Sequence, residues 1–291
     1  DFCLSRGLGD VYKRQSRFRS QFKAKRVKAT EKMVAKAHTQ DSMRALGKLT
    51  TEAGGQRRII SDPPLIEPVE EIFPEIQADK IYKLIREVLG KYQRTLASDR
   101  KHLVEYFTLV QLARKVVGVG SVGTRAWIAL MAGGHGAEPL FLQAKEAQPS
   151  VLAAYCGRSQ YRNQGERVVA GQLLMQAESD IFLGWTHATG PDGVDRDFYV
   201  RQLKDWKLSV PIEQMVPAGM RAYARMCGWT LARAHARSGD RVALAAYLGG
   251  SDRFDHAIAA FAETYADQNE RDHAALQAAV KDGRAEATTG L

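Results

Sequence analysis

One change of period near Val116 limits what this chain can fold into. Before it, apolar residues recur every three or four positions. In "ADKIYKLIREVLGKYQRTL", for example, Ile81, Leu84, Ile85, Val88 and Leu89 share one helical face. After it, "TRAWIALMA" and "EPLFLQAKEA" are short apolar runs rich in strand-forming residues, separated by the turn "GGHG". Between the two regimes lies "VGVGSVGT", a G-x-G-x-x-G loop made by Gly118, Gly120 and Gly123, with Ser121 inside it. This order predicts an α+β fold: a small, mainly antiparallel sheet from about Val116 to Leu203 with a helix packed on it, flanked by helical blocks.

A glycine loop of this form suggests phosphate binding, and what surrounds it discriminates among the architectures that use one. A dinucleotide fold needs strand, loop and then helix, so that the helix N-terminus faces the pyrophosphate, and no helix is predicted to start after Gly123. A P-loop needs G-K-[ST] after the glycines, which is absent. The arrangement that fits is the nucleotide-covering hairpin of protein kinases, where the loop joins strands one and two and a lysine on strand three reaches the phosphates. Lys145 lies 22 residues past the last glycine, room for a strand, a turn and a strand. Its partner should be a glutamate on the next helix. "YRNQGERVVAGQLLMQAES" supplies Glu166 on the side of Val169 and Leu173, with Glu178 as the competitor. The bland alternatives are a tight turn at the glycines and an edge lysine that snorkels. Gln143 departs from the kinase pattern, which carries a small residue two positions before the lysine, where adenine packs.

The rest of the chain divides at about residues 15, 113 and 203. Residues 1–15 contain "CLSRGLGDVYKRQ", which resembles a translated sequencing-adapter string and is set aside as non-native. Residues 16–113 read as a helical region, with one or two helices up to Leu49, the loop "TTEAGGQ", a proline-rich connector holding one short strand, and helices over "ADKIYKLIREVLGKYQRTL" and "SDRKHLVEYFTLVQLARK". Residues 114–203 form the nucleotide-loop β subdomain, closed by strands in "DIFLGWTHAT" and "DFYVRQLKDWK" and a hinge at Gln202 to Lys204. Residues 204–291 read as a second helical region, with helices over "MRAYARMCGWTLARAHARSGD", Phe254 to Gln268 and Asp272 to Val280. Within it, "HARSGD" is read as a helix end at Gly239 with Asp240 capping the next helix, rather than a catalytic loop. "DQNERDH" is read as a solvated helix face rather than a metal cluster.

Net charge is +9, much of it between Arg17 and Lys36. Sparse aromatic interleaving there favours a solvated helix face and argues against nucleic acid as a partner. Cys3, Cys156 and Cys227 have no C-x-x-C spacing, which suits free thiols in a reducing compartment. No apolar run approaches the ~20 residues of a membrane span, so the expected protein is cytoplasmic with no membrane partner.

The strings "VGVGSVGTRAWIAL", "LFLQAKEAQPSVL", "NQGERVV", "QLLMQAESDIFLGW", "DFYVRQLKDWK", "LARAHARSGD" and "YADQNERDHAAL" together resemble the bacterial family called domain of unknown function 2252, over most of Ser16 to the C-terminus. That family resembles kinase-like and aminoglycoside-phosphotransferase-like folds in a permuted order, with a G-D-x-H-x-x-N-F-like catalytic loop and a D-x-N-D-F-D-like metal site ahead of the glycine loop. Neither motif occurs in this chain. The resemblance therefore implies an N-terminally truncated metagenomic fragment of an ATP-dependent phosphotransferase, itself inactive, with Mg²⁺ held only in the intact protein. It implies that backbone amides of Gly118, Gly120, Ser121 and Gly123 cover the phosphates, that Lys145 meets the α and β phosphates and that Glu166 orients Lys145. The phosphoacceptor is unknown. A non-catalytic nucleotide- or anion-binding module stays open as the alternative, and a nucleic-acid role for the basic N-terminal helix as a weaker one.

Overall fold

A computed structural model of the chain describes residues 42–76, 78–116, 118, 123–134, 138–176, 179–203 and 212–287. The basic stretch from Arg17 to Lys36 and the adapter-like segment lie outside them, as do Gly120, Ser121, Glu178 and Lys204. In chain order the elements are α1 (Ser42–Leu49), β1 (Thr50–Ala53), β2 (Gln56–Ile59), β3 (Ile66–Pro68), α2 (Val69–Ile72), α3 (Ala78–Gln93), α4 (Ser98–Glu105), β4 (Thr108–Lys115), β5 (Ala126–Gly133) and β6 (Glu138–Ala147). They continue as α5 (Ala153–Cys156), α6 (Gln164–Met175), β7 (Gly184–Thr189), β8 (Asp195–Gln202), a 3₁₀ turn (Ile212–Gln214), α7 (Pro217–Ser238), α8 (Arg241–Leu248) and α9 (Arg253–Lys281). The mixed α+β class and the antiparallel sheet are as the sequence predicts.

Six strands form one antiparallel sheet in the order β3-β4-β5-β6-β8-β7. Strands β4, β5 and β6 are a meander, and the chain then passes through α6 before returning as the β7–β8 hairpin. In that hairpin the later strand, β8, is the one that joins β6.

Alternation along β5 and β6 feeds two cores. Ile128, Leu130 and Phe141 pack with Ala113 and Leu203 beneath Ala45, Leu46 and Leu49 of α1. Ala129, Met131, Leu140, Leu142 and Val200 pack on the opposite face with Tyr92 of α3, Val104 of α4 and Phe182. Tyr92 is fully buried and donates its hydroxyl to the Phe182 carbonyl at 2.6 Å, so the ring fills the core without stranding its polar atom. Burial pushes that phenol well above its ordinary range, with the nearby Asp180 charge adding to the shift.

Three expectations are corrected. Residues 108–115 are strand β4, not the second half of a helix, since the helix begun at Ser98 ends at Glu105. The apolar spacing of this stretch fits either period, and pairing with β5 decides in favour of the strand. The "TTEAGGQ" stretch is not a loop but β1 and the start of β2, joined by a turn at Gly54 and Gly55 with φ of 59° and 73°, the conformation a two-residue hairpin turn demands. Residues 50–59 thus add two strands to the one short strand expected in this region. The two C-terminal helices are one, α9, because nothing between Gln268 and Asp272 breaks it.

The chain divides into two compact units, one ending at Thr230 and one beginning at Leu231. In the second, Asp240 caps α8 as expected, accepting from the amides of Val242 at 2.9 Å and Ala243 at 3.1 Å. Residues of "DQNERDH" lie along exposed α9, where Gln268 donates to Asp272 at 2.7 Å. Among the described residues no helix is long and apolar enough to cross a membrane.

The first unit fixes α6 against β8 at a glycine. A Cβ on Gly165 would lie 2.2 Å from the Phe198 carbonyl oxygen, which is backbone and cannot turn aside. Gly165→Ala is expected to destabilise the protein by about 2 kcal/mol in urea unfolding. Gly171→Ala in the same helix, where the nearest atom is the flexible Met175 Cε at 3.8 Å, should be neutral or stabilising by about 0.5 to 1 kcal/mol. Equal effects at the two positions would show that this close approach does not hold the helix.

Candidate functional site

The glycine turn connects β4 to β5, both long strands of the main sheet. Gly118 and Gly123 have φ of 76° and 79°, left-handed values that a side chain would oppose, so the turn depends on glycine at these two positions.

Lys145 sits on β6, opposite Ala126 of β5 and Tyr199 of β8. Gln143 is opposite Ile128 and Arg201. Directly opposed residues of an antiparallel pair, and residues two apart in a strand, share a face. Gln143, Lys145, Tyr199 and Arg201 therefore form one patch, beside the cluster capped by α1. Lys145 is half-buried, and burial first, then the Arg201 charge, lowers its pKa below the ordinary lysine value. Tyr199 is raised by burial, against an opposing pull from Arg201.

Asp180 organises the strand end behind Arg201. Its carboxylate accepts from the amides of Phe182 and Gln202, each at 2.8 Å, and lies 3.9 Å from Arg201 Nε. The two amides tie the entry to β7 to the end of β8 and keep a negative charge close to the cationic patch.

Helix α6 lies along β7 and β8. Its N-cap, Asn163, accepts from the Glu166 amide at 2.9 Å and donates through Nδ2 to Asp197 at 2.6 Å, while Asp197 also accepts from the Gln164 amide at 2.7 Å. Asp197 binds His187 Nδ1 at 2.9 Å, and His187 Nε2 lies 3.6 Å from Asp195. A pocket of about 280 Å³ opens beside this group, lined by Glu146, Gln164, His187 and Asp197 among others.

The sequence-derived residues are thus partly assembled. Gly118 and Gly123 form the turn's ends, and Lys145 is on the third strand of the meander, pointing to the face shared with Arg201. Glu166 occupies the first turn of α6. The expected ion pair between Lys145 and Glu166 is not formed among the described residues, and the charge that acts on Lys145 is Arg201. The cap sets only the backbone of this turn: Asn163 holds the Glu166 amide and is itself bonded to Asp197, while the carboxylate makes no bond of its own among the described residues.

Arg201, Asp180 and Asp197 were not singled out in the sequence. Arg201 could have been found from the alternation Tyr199, Arg201 in "DFYVRQL". Asp180, accepting from an amide two residues on, carries the local signature of an Asx turn. Among the described residues no three His, Cys, Asp or Glu side chains converge so as to hold a metal ion.

The chain belongs to a family of proteins conserved in bacteria. Its residues 7–279 match the family described as "Uncharacterized protein conserved in bacteria (DUF2252)", a span that takes in part of the adapter-like segment and all of the sheet. No curated protein and no solved structure matches the chain.

The lowered pKa of Lys145 makes stability pH-dependent in a defined direction. The folded chain releases the proton before the unfolded chain does, so stability rises with pH between the lowered folded value and the ordinary ~10.4 of an unfolded lysine. Lys145→Met is expected to raise the thermal midpoint at pH 7, with the advantage shrinking as pH climbs through that window. Arg201→Gln should move the start of the window upward. A difference between Lys145→Met and the parent that stays constant from pH 7 to 10 would contradict this environment for the lysine.

Proposed function

We propose that the sheet holds the phosphates of ATP, as the nucleotide-binding part of a kinase-like phosphotransferase. The observation that carries the reading is the placement of Lys145. It is a half-buried lysine on the third strand of a meander whose first connection is the glycine turn, followed by a helix and a hairpin whose second strand joins the lysine strand. That order is the one in which protein kinases cover a nucleotide. The residues suit an anion: the turn carries positive φ at Gly118 and Gly123, and Lys145 and Arg201 bring two positive charges onto adjacent strands. ATP supplies the phosphoryl group in such chemistry, while Gly118, Gly123 and Lys145 bind and orient it.

A second reading rests on the neighbour Lys145 has. A working kinase requires the lysine–glutamate pair, whereas this lysine faces Arg201, an arrangement suited to holding an anion without transferring phosphate. On this reading the sheet is a nucleotide- or anion-binding module.

Calorimetric titration with ATP and with inorganic tripolyphosphate, with and without Mg²⁺, tests both. The reading expects ATP to bind, Lys145→Ala to weaken binding at least about tenfold, and ATP at ~100 times its dissociation constant to stabilise the fold by about 2.7 kcal/mol. With no metal-holding group among the described residues, Mg²⁺ should change affinity less than about threefold. Phosphoryl transfer that falls with Glu166→Gln while ATP affinity holds would favour the phosphotransferase, and binding with no transfer would favour the module. No binding of ATP or tripolyphosphate by the unsubstituted chain would overturn both.

A further inference from the structure

Helices α8 and α9 contain no buried residue, although α9 alone runs for 29 residues. Most of the stability of a helix in water comes from packing its apolar face, and only a helix that is polar all round can stand uncovered. α9 is not polar all round. Phe254, Ile258, Phe261 and Tyr265 recur at i, i+4, i+7 and i+11 and so form one stripe, and all four are exposed, Phe261 to 63%. Tyr247 of α8, 77% exposed, extends it: its ring meets that of Phe254 in a T-shaped contact at 6.0 Å, while Phe261 and Tyr265 stack at 5.7 Å.

The borders and the end of the stripe limit what can cover it. At ~100° per residue, Ala257, Ala262 and Thr264 lie beside it, whereas His256 and Glu263 fall on the opposite face of the helix. Apart from Asp255 at its start, the borders are therefore small and uncharged, which admits another helix at close range and offers nothing to a charged partner. Towards the C-terminus Gln268 and Asp272 return to the same face, where Gln268 donates to Asp272 at 2.7 Å and the apolar run ends.

We infer that a second copy of this chain covers the stripe, the two α9 helices packing antiparallel about a two-fold axis that passes between Ile258 and Phe261. Phe254 of each copy then meets Tyr265 of the other, and Ile258 meets Phe261, so one set of side chains supplies both sides of an isologous contact. Direction follows from the polar end. A parallel pairing would set Asp272 against its own copy in the seam, two like charges together, whereas the antiparallel pairing carries Asp272 past the start of the other copy's α9. The four exposed rings and Ile258 present roughly 500 Å² of side-chain surface, a large part of the ~800 Å² that each partner gives to a stable interface. The inference does not depend on the ATP reading.

The test is analytical ultracentrifugation of the full chain over a wide range of concentration, with thermal unfolding alongside. The mass should rise to that of a dimer, and the thermal midpoint should climb with concentration, as mass action requires of a fold held by its own copy. Ile258→Lys and Phe261→Glu should each weaken dimerisation at least about tenfold, by placing a charge without a partner in an apolar contact. The double variant should return to within about threefold of the unsubstituted chain, because the two-fold sets the new cation of each copy beside the new anion of the other. Glu263→Gln, on the opposite face, should leave the dimer unchanged.

A chain that stays monomeric at every concentration overturns the proposal, and so does a dimer that neither single substitution weakens. A dimer weakened by both single substitutions and not restored by the double variant overturns the antiparallel two-fold on which the inference rests. The behaviour of the unsubstituted chain decides between monomer and dimer even where a single variant fails to fold.

Discussion

Strand β6 is shared by every part of the first unit that bears on function. It pairs with β5 on one side and β8 on the other, and its side chains enter both cores, Phe141 on one face and Leu140 and Leu142 on the other. An extended segment covered on both faces is ordinarily apolar throughout. β6 is so only through Leu142. From Gln143 onward the face that carried Phe141 turns polar, with Gln143 and then Lys145. The apolar half anchors the strand, and the anchored strand fixes where the cation stands. A site built on a packed strand holds its geometry better than one on a loop.

Charge in this region is arranged in two groups. Lys145 and Arg201 stand on adjacent strands, with Asp180 near the guanidinium and bound to two backbone amides. Asp197 stands further down β8 and gathers Asn163, Gln164 and His187. Its bonds to the cap residue and to the first amide of the helix make it both an electrostatic and a mechanical fixture, because a carboxylate at a helix N-terminus complements the dipole while bonding the otherwise unpaired donor. The first group sets two positive charges on adjacent strands with Asp180 beside one of them. The second is occupied with holding the fold.

Much of this was legible in the residues, and the parts that were not share a cause. β6 was read with its observed limits, since "EPLFLQAKEA" lies between turn signals and has a strand's length and composition. Asp240 as a cap was legible because a cap needs only its own neighbours. β4 is not legible locally because its eight residues satisfy a helical period as well as a strand's, and only pairing with a segment beyond the glycine turn resolves them. The position of Glu166 was foreseen but its partnership was not. The bonds that hold its helix reach from Asn163 and Gln164 to Asp197, a separation of more than 30 residues that no local pattern encodes.

The close approach at Gly165 makes the start of α6 a fulcrum. Backbone contact with Phe198 and the bonds to Asp197 fix the first turn, whereas Leu173, Leu174 and Met175 at the other end are exposed. Val169, one turn further on, is buried as well, so any swing pivots on this first half of the helix. At ~1.5 Å of rise per residue the far end of α6 lies about 15 Å from the fulcrum and Glu166 less than about 2 Å from it. Rocking α6 by ten degrees would carry Met175 through more than 2 Å and displace the Glu166 backbone by a few tenths of an ångström. Helix rocking is therefore a poor means of bringing this carboxylate to Lys145. A change in that distance has to come from the Glu166 side-chain rotamer or from release of Asp197.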